Sequence, residues 1–167
     1  PTVTYVGTWG NGVLKIKGDE LVEIYNAENS TLDYWISDPN LINISGLGFD
    51  SHHNLWVANS GANHLLSAME PDGTWHSFSL GGNTSGNDIG VMIVDDNDYK
   101  WILKRNGELM VFNDGGTLDD TSDDQVAFLN TGSTSGGLLG TANCLVVDKD
   151  GVVWVGTTDG PCYFADY

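Results

Sequence analysis
Short apolar runs alternate with clusters of Gly, Asn, Asp and Ser along the chain. Runs such as residues 144–147 and 152–155, rich in β-branched side chains and bounded by turn formers, read as strands. No stretch carries apolar residues at the 3.6-residue spacing of a helix. The pattern predicts strands at residues 4–7, 12–17 and 21–25, then at 44–49, 55–58, 64–69 and 74–78. Further strands follow at 91–94, 100–103, 108–112 and 125–129, and last at 144–147, 152–155 and 161–164.

These strands belong to a repeat. Residues 48–57, 93–102 and 146–155 align without gaps, each with an Asp (Asp50, Asp95, Asp148) six residues before a Trp (Trp56, Trp101, Trp154). A shortened copy, Tyr5-Val6-Gly7-Thr8, matches Trp154-Val155-Gly156-Thr157. The anchors Tyr5, Trp56, Trp101 and Trp154 lie 51, 45 and 53 residues apart, a propeller-like period. The fold class is all-β: a β-propeller fragment of about four blades of four-stranded antiparallel sheets, the first and last incomplete. Blade boundaries fall near residues 1–30, 31–80, 81–130 and 131–167. The first blade lacks its first strand and the last its fourth, so the termini do not complete one another. A lone four-stranded sheet leaves both faces wet, so blades stack, and the repeated Trp fills the space between them. Two copies packing face to face would cover apolar faces left open at either end. The Asp caps the turn by accepting backbone N–H groups, and Gly151 permits positive φ there.

Charge narrows the partners. Six basic residues stand against 23 acidic ones, a net charge of -17. Nucleic acid and anionic membrane surfaces would repel such a chain. No apolar run approaches the roughly 20 residues of a membrane-spanning helix. Residues 1–5 do not read as a signal peptide. Cys144 and Cys162 fall on the first and third strands of one blade, about 10 Å apart, beyond disulfide reach. They are expected to be free, buried thiols.

Residues 144–160, Cys-Leu-Val-Val-Asp-Lys-Asp-Gly-Val-Val-Trp-Val-Gly-Thr-Thr-Asp-Gly, resemble the two-component regulator propeller repeat. That repeat occurs in periplasmic sensor regions of hybrid histidine kinases of Bacteroidota. Residues 8–15, 48–50, 54–59 and 116–125 resemble, more narrowly, the propeller region of the PorZ-like proteins of type IX secretion. This second resemblance implies a non-enzymatic scaffold at the cell surface, outer membrane or periplasm. It would help attach anionic lipopolysaccharide to secreted cargo, with a sortase and other secretion proteins as partners. Lys104-Arg105-Asn106-Gly107 departs from the usual glycine-rich turn after the Trp strand.

Candidate chemistry is sparse. Asp119, Thr121 and Asp123 have the 1-3-5 spacing of a calcium loop, but Asp124 stands where Gly is needed and Asn130 where Glu is needed. They could hold calcium in a looser cage, or form a solvated loop. The Asp–Trp spacing invites comparison with sialidases, whose sites also need several arginines; this chain has only Arg105. His52, His53, His64 and His76 show no metal-ligand spacing and are expected to be exposed. No nucleophile elbow or phosphate loop occurs. Ser135-Gly136-Gly137 reads as a connector. Trp9, Trp35 and Trp75 lie outside the repeated Trp position. Trp9, expected in a loop, is the best candidate for contact with a glycan; lateral packing between blades is the alternative for all three.

Overall fold
The computed structural model describes residues 2–80, 87–130 and 137–165. Ser135 and Gly136 of the expected connector lie outside this set. Among the described residues, fifteen strands form four antiparallel sheets. The first is β1 (Val3–Gly7), β3 (Val13–Lys17) and β4 (Glu20–Tyr25). The second is β5 (Ile42–Phe49), β6 (Leu55–Ser60), β7 (Leu66–Met69) and β8 (Trp75–Phe78), with β2 (Trp9–Gly10) added on the β5 edge. The third is β9 (Ile89–Val94), β10 (Lys100–Lys104), β11 (Leu109–Asn113) and β12 (Gln125–Leu129). The fourth is β13 (Ala142–Val147), β14 (Val153–Thr157) and β15 (Gly160–Phe164).

These are four consecutive propeller blades, as the repeat predicted. Tyr5 pairs with Lys15, as Trp56 pairs with Ala68 and Trp101 with Val111, so Tyr5 does occupy the Trp position of the first blade. The strand missing from the prediction is β2. It is too short to register as an apolar run, and its partner is in the next blade: Trp9 and Gly10 pair with Asn43 and Ile42.

Three hydrophobic cores lie between successive blades. Tyr5, Val13 and Tyr25 meet Ile44, Leu55 and Met69 between the first and second blades. Trp56, Ala68 and Phe78 meet Ile89, Met92 and Phe112 between the second and third. Trp101, Leu103 and Val111 meet Leu145, Val153 and Phe164 between the third and fourth. Strands crowd where blades converge. A Cβ on Gly46 would lie 2.8 Å from the Met92 backbone nitrogen, so only glycine lets β5 and β9 approach so closely.

The Asp–Trp repeat has one geometric cause. Asp50 Oδ1 accepts the N–H groups of His52 and Asn54 at 3.0 and 2.8 Å, and its Oδ2 accepts the Trp56 indole N–H at 2.9 Å. Asp95 repeats this with Asn97, Tyr99 and Trp101, the last at 2.5 Å. Asp148 repeats it with Asp150, Val152 and Trp154, the last at 2.8 Å. One carboxylate thus shapes the turn and fixes the indole, which is why the spacing is constant. The third residue after each Asp has positive φ: 66° at His53, 63° at Asp98 and 80° at Gly151. Only in the fourth blade does sequence supply the glycine that this conformation favours.

Two expectations about burial are corrected. Both cysteines are free, but Cys144 is exposed and Cys162 half-buried. Cys144 lies on the face of the fourth blade turned away from the third, beside the open Val146, Trp154 and Tyr163. His76 is not an exposed strand histidine. Its side chain is largely enclosed, with Nε2 2.7 Å from Glu70 and Nδ1 3.5 Å from Asp119.

Candidate functional site
The turns divide between two ends of the blades. The Asp turns and the acidic loop at residues 114–124 lie at one end. The connections after each Trp strand and the links between blades lie at the other, where β2 crosses from the first blade to the second. Thr8 O accepts the Ile44 N–H at 2.9 Å, and Ile42 O accepts the Gly12 N–H at 3.2 Å, which holds the crossing in place.

Trp9 is therefore on a strand, not in a loop, and it is 56% exposed. The Arg105 guanidinium lies over its indole, 5.2 Å from the ring centroid. Arg105 comes from the third blade, where its N–H donates to Asp88 O at 3.1 Å. The Lys104-Arg105-Asn106-Gly107 departure thus has a structural use. Lys104 is buried and its ammonium donates to Glu108 at 2.7 Å, while Arg105 turns outward. The result is a guanidinium set over an exposed indole on an otherwise acidic molecule. Such a pair offers guanidinium donors for a carboxylate or phosphate beside a flat apolar edge. Trp9 is legible in the sequence as an aromatic outside the repeat, but its pairing with Arg105 is not, because no short motif links residues from different blades.

Of the other two candidate tryptophans, Trp75 packs between blades and Trp35 within its own. Trp75 packs against Tyr25 of the first blade, with centroids 5.3 Å apart and ring planes tilted by 59°. Trp35 covers Gly61, where an added Cβ would fall 2.0 Å from its ring.

At the opposite end, the calcium candidates point to separate partners. Asp119 faces His76, while Asp123 lies 3.3 Å from the Thr117 hydroxyl. Thr121 and Asp124 line a groove of about 500 Å³ with His64, Ser77 and Phe128. Among the described residues, no group of three or more His, Cys, Asp or Glu side chains could hold a metal ion. Asp124 is pushed up from the usual carboxylate range by burial and by the nearby charges of Asp123 and Asp114. Lys100, fully buried, anchors this end: its ammonium bonds Asp114 and lies 3.8 Å from the Trp56 ring centroid.

These features define a β-propeller segment whose blades are pinned by Asp–Trp bonds and whose exposed chemistry sits in its loops. Comparison with solved structures gives a more particular likeness. The chain is similar to PorZ of Porphyromonas gingivalis, described as an essential surface component of the type IX secretion system. The TM-score is 0.79 and the identity 28%, over 96% of this chain and 23% of that one. The PorZ-like resemblance read from residues 8–15, 48–50, 54–59 and 116–125 is borne out. Two further structures share the fold alone. The extracellular domain of a hybrid two-component system from B. thetaiotaomicron gives TM-score 0.54 and 18% identity, over 92% of this chain and 20% of that one. A virginiamycin B lyase from Staphylococcus aureus gives 0.58 and 12%, over 97% and 54%. No protein-family model matches the chain. No curated protein matches it either. The chain spans less than a quarter of the PorZ chain. Among the described residues, no helix is long and apolar enough to cross a membrane.

Proposed function
We propose that the chain is a non-enzymatic binding module of a PorZ-like surface protein of type IX secretion. Its role is to help present anionic lipopolysaccharide for attachment to secreted cargo, working beside a sortase. The observation that carries this reading is the 28% identity to PorZ over 96% of the chain. The Trp9–Arg105 pair supports it, since a guanidinium held over an exposed indole suits an anionic saccharide. The blade aspartates do not serve as acids or bases in this reading, because their oxygens are occupied by indole and backbone N–H groups. Apolar side chains such as Val146, Trp154 and Tyr163 on the fourth blade suit a second copy or another secretion protein.

The test is binding of purified anionic lipopolysaccharide to the intact parent protein by surface plasmon resonance. Binding that weakens in Trp9→Ala and Arg105→Ala is expected. A folded parent that does not bind would overturn the reading. A second reading, the ligand-sensing propeller of a hybrid histidine kinase, draws support from the likeness to the B. thetaiotaomicron extracellular domain. The parent sequence separates the two: a transmembrane helix and kinase on one side, a secretion signal on the other.

A further inference from the structure
Beside β2, at the same end as Trp9, a cavity of about 270 Å³ opens between the first two blades. Its walls are Gly10 and Asn11 from the β2 crossing, Ile24 and Asn26 from the end of the first blade, Tyr34 and Asn40 from the link, and Ile42 from β5. The frame is fixed. The Asn11 N–H donates to the Thr8 hydroxyl at 3.1 Å, and Asn26 accepts the Glu28 N–H through Oδ1 at 2.8 Å. Asn40 donates to Asp38 at 2.9 Å through its amide nitrogen.

Those bonds leave much polar capacity unused. The Asn11 side-chain amide and the Tyr34 hydroxyl engage no other described residue. Asn26 keeps its amide donors and Asn40 its amide oxygen. Tyr34 is 41% exposed, so a large ring is held open beside these groups. No Lys, Arg, Asp or Glu lines the cavity.

We propose that this cavity binds one neutral sugar unit. The reason is chemical complementarity. An amide offers donor and acceptor together, as does a phenol, and a sugar hydroxyl needs both. The Tyr34 ring with Ile24 and Ile42 supplies apolar surface for the C–H face of a pyranose. An anion would find no cation on the walls, and the carboxylate behind them, Asp38, is engaged by Asn40. The volume falls just below the roughly 300–1,000 Å³ of pockets for drug-sized ligands, which suits a single ring. The cavity thus selects the uncharged part of a glycan, while Trp9 and Arg105 address a charged part. The inference rests on the reading of this end as a glycan-binding face, and holds for either parent.

The experiment titrates the chain with maltotriose, cellotriose and mannotriose by isothermal calorimetry and by 15N-resolved NMR. At least one should bind with weak, salt-insensitive affinity and shift the Asn11, Asn26 and Asn40 side-chain amide signals. Asn11→Ala and Tyr34→Ala should each weaken binding roughly tenfold, with unchanged circular dichroism. Lys149→Ala, in the exposed Asp turn of the fourth blade at the opposite end, should leave it intact. Absence of binding by all three sugars would overturn the proposal, as would binding that neither pocket variant affects. Should an anionic saccharide bind through Arg105 while the neutral sugars do not, the glycan face stands and the neutral pocket falls.

Discussion
The buried Lys100 offers a sharp test of how the blades are held together. Its side chain is 0% exposed, its ammonium bonds a nearly buried Asp114, and the same ammonium sits on the Trp56 ring. Lys100→Met keeps the length and apolar volume of the side chain but removes the charge. Asp114 then remains enclosed without its cation, and Trp56 loses a desolvated cation–π contact. Breaking one side of a buried pair costs about 3–5 kcal/mol, because the stranded charge keeps its desolvation penalty. The cation–π contact adds up to about 2 kcal/mol in a desolvated site. The expected loss is therefore about 5 kcal/mol. Urea unfolding followed by tryptophan fluorescence measures it as a fall in midpoint at constant m-value. The companion Lys100→Met/Asp114→Leu should recover much of the loss, since both charges are gone and the site is apolar. A single variant that loses under about 1 kcal/mol would refute the reasoning, as would a double variant no more stable than the single.

Other outcomes follow from the same geometry. Trp56→Ala should cost about 3–5 kcal/mol, whereas Trp154→Ala, whose side chain is already 38% exposed, should cost less than half as much in the same unfolding assay. His53→Gly should raise stability by about 0.5 kcal/mol, because relief of a left-handed conformation exceeds the added entropy of glycine. Burial raises the Asp50 carboxyl, but bonds from Trp56 and Asn54 and the Lys100 charge outweigh it, so its folded pKa is lowered. Its stabilisation is present above the ordinary Asp value and is lost as pH falls through the lowered one. Thermal melts should therefore decline on acidification below about pH 4, with a shallower decline in Asp50→Asn. In native protein, a maleimide should label Cys144 ahead of Cys162, and the intact mass should show two free thiols.

Much of the fold was legible because the repeat is a pattern of strands and turns at fixed spacing. The Asp, the turn and the Trp are close in sequence, so their register could be read directly. Residues 125–129 were predicted and occur as β12, and most other strands differ only at their ends. What escaped reading was contact between blades. Trp9 was visible as an unassigned aromatic, but its partner Arg105 lies in the third blade and β2 pairs outside its own sheet. Nothing local in the sequence tells that Glu70 and Asp119 enclose His76, or that Asp114 meets Lys100. Cys144 reads as a buried strand residue only if another surface covers that side of the fourth blade.

The bond from each Asp carboxylate to its indole also gives every repeated blade its own spectroscopic label. The chain has six tryptophans, and those of the second, third and fourth blades each donate N–H to one carboxylate. The indole protons of the buried Trp56 and Trp101 should therefore exchange slowly with solvent, and that of the open Trp154 faster. Followed one at a time through heating or ligand addition, they would show whether the blades melt together or the array opens from one side.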